Sequence, residues 1–96
     1  MLRVKIYNVQ METVVAVCDD ELYGRTLREG RMKLDVNEFY DGDMVEEDSL
    51  PKLLKCATNL NMVGERCIDI AVECGCVDRS GVISIDGIPH AMVFYV

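Results

Sequence analysis

His90 is the one histidine of this 96-residue chain, and imidazole is the side chain that trades protons near neutral pH. In an extended strand it shares a face with Ile88, Met92 and Phe94 and therefore points into a half-buried position. No Ser or Cys nucleophile motif lies beside it, and an acid–base pair with Glu65 or Asp86 depends wholly on folding. Those three residues are the candidates for a small enzyme, weighed against a hydrogen-bonded structural histidine. A second cluster is Gly24–Lys33, GRTLREGRMK, which sets Arg25, Arg28, Arg31 and Lys33 against Glu29 alone. Guanidinium forks bind phosphate and carboxylate groups bidentately, so these cations could be presented along one side of a helix-to-strand loop. The plainer reading is a solvated face balanced by an acidic run such as Glu46-Glu47-Asp48.

The stretch Asn59–Arg66 places Asn61, Gly64, Glu65 and Arg66 at an expected helix start, where free backbone amides can hold an anion. It serves equally as a simple cap with Asn61 accepting from the first turn. The glycine spacing and lysine of a phosphate-binding loop are missing. Gly87, Pro89 and His90 form a third candidate segment beside Asp86. The pairs Asp19-Asp20 and Asp41-x-Asp43 do not continue into a calcium-binding loop and read as turn and cap residues.

Cys18, Cys56, Cys67, Cys74 and Cys76 are odd in number and lack C-x-x-C spacing, so they read as reduced, buried, small apolar side chains. A Cys₃His zinc site from Cys67, Cys74, Cys76 and His90 fails on distance. Cys67 and Cys74 lie two helical turns apart, about 10 Å by rise, too far to share one tetrahedral ion. No metal and no cofactor is expected.

Ninety-six residues, half of them apolar, support one modest core and a single domain over 1–96. Ten basic against seventeen acidic residues leave a net charge of −7, a mean field that repels nucleic acid and anionic lipid without excluding a local basic patch. The start MLRVKIY lacks the apolar stretch of a signal peptide, and no window approaches the roughly twenty apolar residues of a membrane span. A cytoplasmic protein without a membrane partner is expected.

The elements that would position these groups follow from periodicity. Leu2–Val9 and Glu12–Cys18 predict an antiparallel pair turning at Gln10 and Met11. The run TVVAVC, apolar on both faces, predicts a central strand. Glu21–Leu27 predicts a short helix ended by Gly30. Met32–Val36 and a segment around Phe39–Val45 predict a weak hairpin turning at Asp41-Gly42-Asp43. Helices are expected from Asp48 or Ser49, with Pro51 in the first turn, and over Asn61–Cys74, stopped by Gly75. Val82–Ile85 and Ile88–Val96 predict a closing hairpin on Asp86-Gly87, with Pro89 arguing for an edge strand. The fold class is α+β, a small, mostly antiparallel sheet with two or three helices packed on one face.

The pieces VKIY at Val4–Tyr7, VAVCDDELYGRTLREG at Val15–Gly30, NLNMVGERCIDIAVECG at Asn59–Gly75 and GIPHAMVF at Gly87–Phe94 resemble an uncharacterised archaeal family, domain of unknown function 424. The resemblance implies a compact, single-domain cytosolic protein loosely associated with translation, and carries no activity onto any residue.

The leading expectation is a noncatalytic binding or assembly module whose site gathers Arg25–Arg31, Asn61–Arg66 and Asp86–His90. Its partner is another protein or RNA. For RNA, Arg25, Arg28, Arg31 and Lys33 would meet phosphates while Tyr23 or Tyr40 stacks on bases. An exposed edge at the last strand and six methionines make a homodimer a further expectation.

Overall fold

The computed structural model describes residues 1–95. Strands β1 (Leu2–Val9) and β2 (Glu12–Asp19) pair antiparallel in full register, from Leu2 opposite Asp19 to Val9 opposite Glu12. Gln10 and Met11 close their two-residue turn at φ of 50° and 41°, the left-handed pair that suits the twist of a tight hairpin. β2 is central. Its other neighbour is β6 (Asn59–Val63), which runs parallel to it, and both faces of TVVAVC lie in packed clusters as their apolarity requires.

The remaining ladders are antiparallel: β5 (Asp43–Val45) on β1, β8 (Ile88–Phe94) on β6, and β7 (Ile83–Ile85) on β8. The sheet order is β5-β1-β2-β6-β8-β7. Asp86 and Gly87 form the last turn at φ of 56° and 76°. Val96, the expected end of the closing strand, lies outside the described residues.

Side-chain alternation gives the sheet two buried faces. On one, Leu2, Val4, Val15, Val17, Leu60, Met62 and Ala91 pack against α1 (Leu50–Lys55) and α2 (Glu65–Glu73) through Leu50, Leu54, Cys67, Ile68 and Ala71. On the other, Ala16, Cys18 and Val63 pack under Leu22, Leu27, Val36 and Tyr40. That second cover is the segment between β2 and β5, and it departs most from expectation.

No helix forms over Glu21–Leu27. A single 3₁₀ turn, Asp20–Leu22, ends before Gly24, which sits at φ 89°. The chain then makes a separate two-stranded hairpin, β3 (Thr26–Glu29) with β4 (Met32–Asp35), closed by Gly30-Arg31. Gly30, read as a helix stop, is a hairpin turn at φ 59°. Asp41-Gly42-Asp43 is not a hairpin turn either, because β5 pairs with β1 rather than β4.

Two further corrections concern the second half of the chain. Asn59–Val63 is a strand, since Leu60 and Met62 face the helices while Asn59, Asn61 and Val63 face the hairpin, a period of two. The helical period begins only at Glu65. Pro89 is not on an edge, because β7 lies outside β8 at that point. Its carbonyl accepts from Gly64 N at 3.0 Å, just beyond the last β6–β8 pair, so its missing N–H falls where the ladder ends.

Candidate functional site

The β3–β4 hairpin folds with Leu27 and Leu34 turned to the core and Thr26, Arg28, Lys33 and Asp35 turned outward. Arg28 stands directly opposite Lys33, the arrangement that would ordinarily be relieved by a cross-strand carboxylate. Lys33 reaches Asp35 at 3.7 Å, while Arg25, Arg28 and Arg31 make no ion pair among the described residues. Arginines elsewhere are all engaged. Arg3 holds Asp20 at 2.8 Å and Asp41 at 3.1 Å, and Arg79 holds Asp69 at 3.0 Å. Arg66 pairs with Glu21 and, at 2.9 Å, with Glu47. The acidic run expected to balance the hairpin therefore serves Arg66 instead.

Gly64 and Arg66 belong to a different construction. Asp19, 3% exposed at the end of β2, accepts from Arg66 N and Cys67 N, both at 3.0 Å, through its two carboxylate oxygens. These are first-turn amides of α2, so the carboxylate occupies the place an anion would take. Gly64 lets it in: a Cβ there would lie 2.3 Å from the Asp19 carboxyl carbon, and the backbone sits at φ 125°. The helix cap is thus Asp19, remote in sequence, and not Asn61. Glu65 is exposed on the first turn of α2.

Asn61 has another task. Its Oδ1 accepts the Tyr40 hydroxyl at 2.6 Å and faces His90 Nε2 at 3.2 Å. Because that oxygen carries no proton, Nε2 is the donor and His90 is held as one neutral tautomer. His90 is only 7% exposed, and burial lowers its pKa. Its Nδ1 is buried without a hydrogen-bond partner among the described residues. The side chain lines a cleft of ≈ 200 Å³ with Gly81, Ile83, Ala91 and Met92. His90 bonds to neither Glu65 nor Asp86, and Asp86 N instead donates to Glu29 Oε1 at 2.9 Å.

That last bond joins Glu29 to the β7–β8 turn, and Val63 lies opposite His90, so the three expected segments touch at those two points, while Arg66 turns instead to Asp19, Glu21 and Glu47. Gly87 is exposed in the turn and Pro89 half-buried beside Gly64. Tyr23 and Tyr40 are not open for base stacking. The Arg3 guanidinium lies 4.1 Å from the Tyr23 ring centroid, and Tyr40 is buried.

The cysteines divide. Cys18 and Cys67 are buried, and burial pushes the Cys18 thiol up to about 12. Cys56 is exposed, while Cys74 and Cys76 are half-buried with their sulfurs 3.4 Å apart. Among the described residues no three His, Cys, Asp or Glu side chains gather to hold a metal ion. Sequence reasoning missed the long-range Asp19 cap, the Tyr40–Asn61–His90 chain and the Cys74–Cys76 contact. Only the last had a local signal, the C-G-C spacing.

No helix among the described residues is long and apolar enough to cross a membrane. No curated protein matches the chain. A crystal structure of an uncharacterized conserved protein from Methanopyrus kandleri superimposes with a TM-score of 0.86 over 99% of this chain and 91% of that one, at 23% identity, which shows a shared fold. The family model for proteins of unknown function DUF424 matches residues 7–96, and the chain belongs to that family.

Proposed function

We propose that the protein is a noncatalytic binding module of the cytosol whose contact surface is the exposed side of the β3–β4 hairpin together with its turn and the preceding Arg25. One observation carries this reading: Arg25, Arg28 and Arg31 have no ion-pair partner among the described residues of a chain of net charge −7 that pairs its other three arginines. Seventeen acidic side chains offer many local partners, so a cluster left unpaired is available to an external one. The partner presents several anionic groups at the spacing of a cross-strand pair, and the acidic face of another protein fits best. RNA phosphates are the second reading. They suit the guanidinium forks, but the two tyrosines that would add base stacking are occupied.

Titrations at low salt against polyglutamate and against a pool of structured and single-stranded RNA test both, with Arg25, Arg28 and Arg31 changed together to Ala as the control. The expected result is binding that weakens with added salt and disappears in the triple variant. For RNA, three or four phosphate contacts give a logarithmic salt slope of about −2 to −3. Preference for RNA over polyglutamate promotes the second reading, and binding of neither at low salt overturns both.

A further inference from the structure

The end of α2 builds a pair of thiols that neither the hairpin nor His90 uses. Gly75 adopts φ 80° immediately after the last helical turn. Its N–H donates to Val72 O at 3.1 Å, and Cys76 N–H donates to Ala71 O at 2.9 Å. Those two bonds are the paired closure of a Schellman cap, in which a left-handed glycine folds the chain back over the helix end. Cys74 and Cys76 flank that glycine, so the cap sets their side chains together, with Sγ atoms 3.4 Å apart and both half-buried. These backbone hydrogen bonds hold the main chain on both sides of the pair. Val77 is buried in the helix-side core, and the Tyr95 hydroxyl donates to the Cys76 carbonyl.

Access is also built in. Cys76 and Gly75 line an open cleft of ≈ 290 Å³ with Leu54, Lys55, Ala57 and Tyr95. Lys55 adds a cation at its rim, which offsets a small part of the rise that burial imposes on the Cys76 thiol. The remaining cysteines lack this combination: Cys18 and Cys67 are buried, and Cys56 is exposed without a second sulfur in contact.

We propose that Cys74 and Cys76 form a dithiol site that exchanges with small disulfides of the glutathione class. The thiolate of Cys76, the sulfur-bearing residue of the cleft, attacks one sulfur of the disulfide, a new sulfur–sulfur bond forms, the old one breaks, and one small thiolate leaves. Cys74 then loses its proton to solvent and attacks Cys76 Sγ, which closes the Cys74–Cys76 bond and expels the second small thiolate. Two electrons pass from the protein to the small disulfide, and the two expelled thiolates take up the two protons released. Burial and the neighbouring Cys74 sulfur raise the Cys76 pKa, so the first step accelerates as pH rises.

The test uses the folded, reduced chain with Cys56→Ala, incubated with glutathione disulfide, then unfolded, alkylated and digested with trypsin. The expected product is the Cys67-to-Arg79 peptide with one alkyl group, at Cys67, and two hydrogens fewer than the reduced form, with two glutathiones released per chain. In Cys74→Ser the reaction stalls with one glutathione on Cys76, which shows that Cys74 is the resolving sulfur. A stable glutathione adduct on Cys76 in the protein that retains Cys74 overturns the proposal. So does full alkylation of all three thiols under conditions that modify Cys56 in the unaltered chain. Circular dichroism of both variants, unchanged from the parent, excludes unfolding as the source of reactivity.

Discussion

Gly64 and Asp19 are coupled through a single steric fact, and a double-mutant cycle measures it. Asp19→Ala removes two charge-assisted hydrogen bonds to the first-turn amides of α2, a loss of about 3 kcal/mol at roughly 1.5 each. Arg66 keeps Glu21 and Glu47 in that variant, so no charge is stranded. Gly64→Ala places a methyl 2.3 Å from the Asp19 carboxyl carbon and 2.6 Å from both oxygens. The carboxylate must leave, which costs the same ~3 kcal/mol, and the alanine must hold φ 125°, which adds about 2 kcal/mol of backbone strain.

With both changes the cap is lost only once. The double variant should therefore fall about 5 kcal/mol below the parent rather than the ~8 that independent effects would give, a coupling of ~3 kcal/mol. Losses of this size approach the whole stability of a small domain. Urea unfolding followed by circular dichroism should accordingly be run in a stabilising osmolyte for all four proteins. Additivity within about 0.5 kcal/mol would refute the claim that Gly64 exists to admit Asp19.

Two other outcomes follow from the sheet. Burial depresses the folded pKa of His90, so the stability that its neutral form contributes is fully present above the unfolded value of about 6.5 and is lost as pH falls through the lower folded value. The urea midpoint should drop between pH 7.5 and 5.5, and His90→Gln, which keeps a donor for Asn61, should flatten that slope. An unchanged slope would sink the assignment. Self-association is expected at β8. Pro89 O and Tyr95 N face β6 and its preceding residue, so by alternation the main-chain groups of Met92 and Phe94 face outward, beyond the end of β7. Both side chains are exposed, 54% and 65%. Two-fold pairing about Val93 sets Met92 against Phe94 of a second copy twice over. Sedimentation should show a concentration-dependent dimer that Phe94→Lys abolishes; identical monomeric masses for both proteins would refute it.

The sheet was legible where one residue type did one job. The β-branched alternation of Leu2–Val9, the two-sided apolarity of TVVAVC and the Asp86-Gly87 turn each specify a backbone geometry locally, and all three form as read. The helical period expected through Val63, Cys67, Ile70, Ala71 and Cys74 holds from Glu65 on, whereas Val63 belongs to β6 and the opposite face. It failed only at its start, because the cap that fixes that start is Asp19, more than forty positions away. A side chain that caps across the fold leaves no spacing signature. Asn61 looked like the cap since Asn caps helices often, whereas its amide oxygen is spent on Tyr40 and His90.

The segment between β2 and β5 was illegible for a related reason. Leu22, Leu27, Leu34, Val36 and Tyr40 follow neither period, because each reaches the second face of the sheet from a different short element. A hairpin of four-residue strands is marginal without a surface to lie on, and the surface is supplied by β2 and β6. Local propensity and final structure disagree there more than anywhere else in the chain. Such disagreement is expected where a segment is retained for something other than stability. The unpaired arginines sit on that same hairpin, so the region that the sheet holds in place and the region that has charge to spare coincide. Covering Ala16, Cys18 and Val63 needs only its leucines and Tyr40, whereas Arg25, Arg28 and Arg31 are exposed without an ion-pair partner among the described residues, and that is the charge the proposed contact surface would use.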